Sequence, residues 1–345
     1  MTDELVERLC PPGSLSAWLD GRLPGSGSFA VERVTSGMSN ELFRIGRSGR
    51  AWILRRPPRV KLSPSAHDVG REFRVLSAIG STDVPHARAH LLCDDDDVIG
   101  APFYVMDEVP GRALAKDLGP FDSTEGRRAV GFALVEALAR LHRLDWDELG
   151  LGDFGRPDGY TARQVERWTG QLERYRIREL PDLDAAAAWL GANVPEMPRA
   201  SLIHGDFGIH NVLFRPEPPA ELLAIVDWET STIGDPLADL GYFLGYWVDP
   251  GEDDFAELRL DGAPGAWPTR DELIGRYEEL TGLDVAPTID WYRALGQLKI
   301  AVILEGSYVR HVKGQADVPE FAEFEHRVPL LAAHARAISE AAAPT

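Results

Sequence analysis

The sequence is short of several things, and each shortage removes a class of protein. Two cysteines, Cys10 and Cys93, are all that 345 residues contain, too few for a disulfide framework. Basic residues are outnumbered, with 36 Lys+Arg against 55 Asp+Glu and a net charge of -19. General nucleic-acid binding needs a basic footprint that displaces phosphate counterions, so it is excluded. No run approaches the roughly 18 consecutive apolar residues of a membrane-spanning helix. The opening MTDELVERLC is acidic where a secretory leader is positive, and no apolar core follows it. A soluble, cytoplasmic protein without a membrane partner is expected. No repeat of fixed period is present. Lysine is also scarce: Lys61, Lys116, Lys299 and Lys313 are the only four, and the other 32 basic residues are arginine.

What is present reads as an ordinary globular chain, 44% hydrophobic and 26% charged. Its length predicts about two domains at roughly 150 residues each. Charge divides the chain in the same way. Residues 1–108 hold 13 basic and 15 acidic side chains, a net of -2, and residues 109–345 hold 23 and 40, a net of -17. The acidic part either prefers a cationic partner or is a well-solvated surface.

The first hundred residues alternate strand patterns with turns. Strands are expected over Phe29–Val34, Leu42–Ile45, Ala51–Arg55, His90–Cys93 and Phe103–Met106. One helix is expected over Ser65–Ile79, with Ser65 and Asp68 as a capping box and Val69, Phe73 and Leu76 on its buried stripe. Beyond Pro110-Gly111 helices dominate. The first runs to Leu141 with Asp122 and Glu125 as its caps, and others are expected near 161–177, 236–247, 270–281, 288–313 and 319–341. The boundary falls near residue 108. The fold class expected is α+β, with a small antiparallel five-stranded lobe plus one helix over 1–108. A larger, mainly helical lobe over 109–345 carries a β-hairpin.

That hairpin holds the chemistry. The stretch SLIHGDFGIHNVLFRPEPPAELLAIVDWE places Asp206 in a loop, Asn211 five residues on, and Asp227 after a strand pair. Phosphoryl transfer needs hard-cation ligands of carboxylate and amide oxygen for Mg²⁺, and a carboxylate beside the acceptor hydroxyl. Asp206 suits the base, and Asn211 and Asp227 suit the metal ligands. A hairpin using Asp, Gly and Asn for turn geometry alone is the simpler alternative for His204-Gly205-Asp206 by itself. His86 and His90, four apart, lack a third ligand nearby, and Asp94–Asp97 reads as a solvated turn.

HGDFGIHN followed by IVDWE resembles the catalytic loop and metal-binding segment of the aminoglycoside phosphotransferase and choline kinase superfamily, within the protein-kinase-like fold. The likeness covers most of the chain. WILRRPP, SAHDVGREFRVL and DWETSTIGDPLADL are closest in texture to the phosphotransferase-like domain fused to some acyl-CoA dehydrogenases. The resemblance implies a two-lobed kinase binding ATP (or another nucleoside triphosphate) and Mg²⁺. It puts a nucleotide loop at TSGMSNE, where Gly37 admits a phosphate and Ser39 and Asn40 donate to it. Met106, Glu108 and Val109 would offer backbone groups to the base. Asp239 would brace the catalytic loop, with His204 structural beside it, and Glu229 could reach a metal or the substrate. The family's strand lysine is missing. Arg55 stands in its place with Glu72 as its partner, and Arg and Lys are not interchangeable. The function implied is transfer of a γ-phosphate to a hydroxyl of a small molecule, aminoglycoside-like or another metabolite. A hydroxyacyl-CoA acceptor, or a nucleotide-binding module without turnover, stays open.

Overall fold

The computed structural model describes residues 2–34, 41–58, 68–115, 117–258, 260, 265–316 and 318–342. The chain forms two compact units. The first is Met1–Arg112 with Val212–Arg215 and Leu223–Ser231, and the second is Ala113–Asn211 with Pro216–Leu222 and Thr232–Thr345.

The first unit opens with two helices that the strand-based reading did not anticipate, α1 (Thr2–Leu9) and α2 (Pro12–Leu19). Pro11-Pro12 separates them, and proline at the first helical position of α2 costs nothing because that N–H has no helical partner. Then follow β1 (Ala30–Val34), β2 (Glu41–Arg47), β3 (Arg50–Arg56), α3 (Val69–Ala78), β4 (Ala89–Cys93) and β5 (Phe103–Asp107). The strands form one antiparallel sheet in the order β1-β2-β3-β5-β4, the five strands expected. Alternation sorts its two faces. Phe43, Ile45, Trp52, Leu54, Phe103 and Val105 bury one face against Leu9, Leu15 and Leu19 of α1 and α2. Arg55 and Tyr104, paired in register, rise from the other face toward α3. The start of α3 differs from expectation. Ser65 lies outside the described residues, and Asp68 is itself the cap, accepting the Arg71 N–H before a helix that begins at Val69. A carboxylate there satisfies an orphan donor and meets the positive end of the helix.

The second unit begins with α4 (Thr124–His142), α5 (Tyr160–Tyr175), α6 (Pro181–Ala192) and the short strand β6 (Ser201–Ile203). Ser123, rather than Asp122, caps α4 by accepting the Gly126 N–H. Helix α6, built on Ala185 to Ala188, was not expected from the sequence. The chain then returns to the first unit as the hairpin β7 (Val212–Phe214) and β8 (Leu222–Ile225). Phe214 bridges Arg112 and Ile225 bridges His86. Backbone pairing therefore joins this segment to the first unit, although its sequence position grouped it with the helical part. Back in the second unit, β9 (Thr232–Gly234) pairs with β6. Helices α7 (Pro236–Leu244), α8 (Arg270–Thr281), α9 (Ile289–Val312) and α10 (Phe324–Ala341) complete it. Trp168, Trp291 and Tyr292 are buried core.

One close approach positions the site. A Cβ on Gly241 would lie 2.4 Å from the Tyr292 backbone, and one on Gly296 would lie 2.8 Å from the Gly241 carbonyl. Only glycine at both places lets α7 and α9 pack so tightly. That contact brings Tyr242 of α7 against Lys299 of α9.

Candidate active site

In the first unit the functional side chains gather around one guanidinium. Arg55 is buried, with Nε 2.6 Å from Oε2 of Glu72 and Nη2 2.7 Å from Oδ1 of Asp227. Glu229 lies farther off, 3.7 Å from the same Nη2. Tyr104 donates its hydroxyl to the same Oε2 of Glu72 at 3.1 Å, while Oε1 accepts from Arg55 Nη2 at 3.1 Å. Burial pushes the Glu72 carboxyl up to about 7 against the pull of Arg55. Burial would also lower Arg55, but Glu72, Tyr104 and Asp227 outweigh it and its pKa is raised. The guanidinium fork is the reason one residue can serve two carboxylates at once. Asp227 adopts a left-handed backbone at φ 67, a conformation that Asp tolerates better than most residues.

The other nucleotide residues expected here divide three ways. Gly37, Ser39 and Asn40 lie outside the described residues. Met106 sits within β5, in register with Ile53 and Ala89. Beyond the strand end, the Glu108 side chain accepts from Arg44 at 2.6 Å, and the Val109 carbonyl accepts from Gly111 at 2.8 Å.

In the second unit the arrangement is inverted, with a carboxylate at the centre. Asp206 follows Gly205, whose φ of 82 turns the loop. Oδ1 of Asp206 accepts from the Tyr242 hydroxyl at 2.6 Å and lies 3.9 Å from Nζ of Lys299. Oδ2 accepts from the Asn211 amide at 2.9 Å and lies 3.7 Å from His210 Nε2. Burial alone would raise this carboxyl, but His210, Lys299 and the Tyr242 hydroxyl hold it well below the usual carboxylate range. Tyr242 is pushed well up by burial and by Tyr246 and Asp206, so it remains a donor.

Beneath the loop, Asp239 accepts the backbone N–H groups of His204 at 2.6 Å and Gly205 at 2.8 Å. His142 adds its Nε2 at 3.4 Å and meets the Tyr277 hydroxyl through Nδ1 at 2.7 Å. Burial lowers the His142 pKa despite Asp239. The neutral ring donates to Asp239 and accepts from Tyr277. His204 is fully buried, and its Nδ1 receives the Asp206 N–H at 3.3 Å. Asp235 caps α7 through the Leu237 N–H and takes the Tyr292 and Thr161 hydroxyls.

Sequence reasoning missed Tyr242, Lys299, His142 and Tyr277. Tyr242 had a signal, because it follows Asp239 by three residues and so shares its helix face. Lys299 had only its rarity.

Among the described residues no group of three or more His, Cys, Asp or Glu could hold a metal. His86 Nδ1 meets the Val84 carbonyl, and His90 meets Asp107. Magnesium needs fewer protein ligands, since it keeps waters and takes phosphate oxygens. Asn211 turns its NH₂ toward Asp206, which leaves the amide oxygen at the other end of the group. Asp227 keeps a part-exposed carboxylate. Each is a hard oxygen donor of the kind magnesium takes, so each fits the ion by its own chemistry. Among the described residues no helix is long and apolar enough to cross a membrane.

Acyl-CoA dehydrogenase family member 11 of Gallus gallus is 36% identical over 339 residues, covering 93% of this chain and 42% of that protein. The chain thus spans between 29% and 42% of the length of the curated relatives it matches. A solved structure from Ralstonia eutropha, provisionally named an aminoglycoside phosphotransferase, superposes with a TM-score of 0.84 at 32% identity, covering 96% of this chain and 98% of that one. The GDP and kanamycin complex of an aminoglycoside phosphotransferase, APH(2")-IIIa, shares the fold, with a TM-score of 0.63 at 15% identity over 92% of this chain and 98% of that one. The family model described as "Phosphotransferase enzyme family" matches residues 30–273, so the chain belongs to the phosphotransferase enzyme family.

Proposed function

We propose that the chain transfers the γ-phosphate of ATP, with Mg²⁺, to a hydroxyl of a small molecule. The supporting observation is the Asp206 carboxylate, held from both sides by Tyr242 and Asn211 in a loop tied down by Asp239. Asp206 orients the acceptor hydroxyl and takes its proton. Its two fixed oxygens and braced backbone keep it from rotating away, which is how positioning contributes to rate. Arg55, anchored by Glu72, steadies the nucleotide phosphates. Gly37, Ser39 and Asn40 contact those phosphates, and Met106, Glu108 and Val109 border the base. Asn211 and Asp227 hold the magnesium, with Glu229 at the metal or the substrate. The ion, when bound, neutralises charge on the phosphates. The residues 1–108 serve the nucleotide and 109–345 the acceptor, with the segment around Asp227 contributing to the former.

The names of the curated relatives add one acceptor class to test, a hydroxyl carried on an acyl-CoA. The decisive experiment is Asp206→Asn, with Mg²⁺-dependent ATP consumption measured against a panel of hydroxyl compounds. Transfer should fall by about 10²–10⁴, the usual contribution of a positioned base, while ATP binding by calorimetry changes little. A folded variant turning over at the parental rate refutes the mechanism. ATP binding by the parent without any turnover refutes the enzyme and leaves the binding module.

A further inference from the structure

The second unit is strongly acidic, yet the groups around its central carboxylate are not. Lys299, one of four lysines in the chain, sets its ammonium 3.9 Å from Asp206 and 3.7 Å from the Tyr242 ring centre, and donates to the Gly205 carbonyl. A carboxylate, a ring face and a carbonyl dipole all favour the charged amine. Burial, with Arg167 of α5, lowers the Lys299 pKa against the pull of Asp206 and Asp239, and His210 stands on the other oxygen of Asp206. The remaining acids nearby are already engaged. Asp239 and Asp235 are buried and occupied by backbone and hydroxyl donors. Asp249 and Glu252, farther along the chain, are paired with Arg270.

We propose that Lys299 is a specificity-determining residue for the transfer assigned to Asp206, and that it selects hydroxyl acceptors carrying an anionic group and rejects polycations. The inference rests on the phosphotransferase reading above. An ammonium group of an acceptor brought to Asp206 would meet Lys299 in a partly desolvated place, where like charges repel strongly. A carboxylate or phosphate of the acceptor would find a partner there. The side chains of Lys299 and Asp206 are 14% and 32% exposed, so both border solvent.

The test compares five acceptors of different charge: 3-hydroxybutyrate, glycerol 3-phosphate, 1,3-butanediol, choline and kanamycin. Wild type, Lys299→Met and Lys299→Arg are compared after matching their thermal stability. The wild type should prefer one of the two anionic compounds, and the better of the two separates a carboxylate from a phosphate. Lys299→Met should cost at least tenfold more in kcat/KM for that compound than for 1,3-butanediol, with the difference mostly in KM. Lys299→Arg should restore most of the loss. A lysine that merely braced the loop would depress all acceptors alike through kcat, and that outcome overturns the proposal. So does kanamycin or choline ranking first in the wild type, a result that stands even if Lys299→Met does not fold. No transfer to either anion, with Asp206-dependent ATP hydrolysis intact, overturns the acceptor proposal alone. Loss of all Asp206-dependent ATP consumption overturns the phosphotransferase reading instead.

Discussion

The two units solve opposite electrostatic problems. The first surrounds a cation with carboxylates: Arg55 is held by Glu72 and Asp227. The second surrounds a carboxylate with polar groups and one ammonium: Tyr242, Asn211, His210 and Lys299 converge on Asp206. A buried cation that keeps more than one anionic partner can exchange one of them for a phosphate. A carboxylate held low by its neighbours stays ionised and ready to accept a hydrogen bond from a hydroxyl. The contrast shows why net charge over a region is a poor guide to its site. The nearly neutral first part hides a dense charge cluster, and the acidic second part presents a cation where it matters.

The comparison can be broken most sharply at Glu72. Glu72→Ala removes the anchor and leaves a buried guanidinium with an uncompensated side. Breaking such a pair costs about 3–5 kcal/mol, to be read from urea unfolding, and ATP affinity should fall with it. An unfolding midpoint close to the parent's would mean that Asp227 and solvent suffice, and that the first unit is not built around Arg55. A milder change sharpens the same point. Arg55→Lys keeps the charge but loses the fork that reaches two carboxylates, so ATP should bind about tenfold more weakly, roughly 1.4 kcal/mol. Unchanged affinity would make the guanidinium a matter of composition.

The smallest effect concerns the support beneath Asp206. The pKa of His142 is lowered in the folded state by burial, so below about 6.5, its unfolded value, the unfolded chain binds the extra proton. Stability from this group is full above that pH and declines as the pH falls through the folded value. His142→Gln should therefore flatten the fall in Tm between pH 7 and pH 5. A parental slope in that variant would assign the acid sensitivity to other groups.

The fold was legible where periodicity was strong and local. Strand β2 alternates cleanly and its turn into β3 carries Gly49, so these strands could be placed without their partners. The N-terminal helices were not legible. Eight-residue segments such as α1 and α2 gain little from propensity alone, and their formation depends on the sheet face they cover. The start of α3 slipped because Asp68 fits both a cap and a capping-box partner. Asp206, Asn211 and Asp227 stood out because their spacing has a chemical reason. Arg55 could be named only against a family pattern, and its pairing with Asp227, 172 residues away, had no local trace. Lys299 was invisible for the same reason, because the glycine-lined crossing of α7 and α9 that delivers it is a tertiary event.

The return of the chain to its first unit has a consequence for synthesis. A ribosome releases Arg55 and Glu72 early and together, but their third partner, Asp227, leaves the tunnel 172 residues after Arg55. At roughly 5–20 residues per second, that gap lasts on the order of ten seconds or more. Throughout it the nascent sheet carries a buried-type guanidinium with an incomplete set of anions, while the chain of α4, α5 and α6 is already outside. The first unit is thus begun first and completed late, and its final closure waits on a segment that the second unit's own chain must precede.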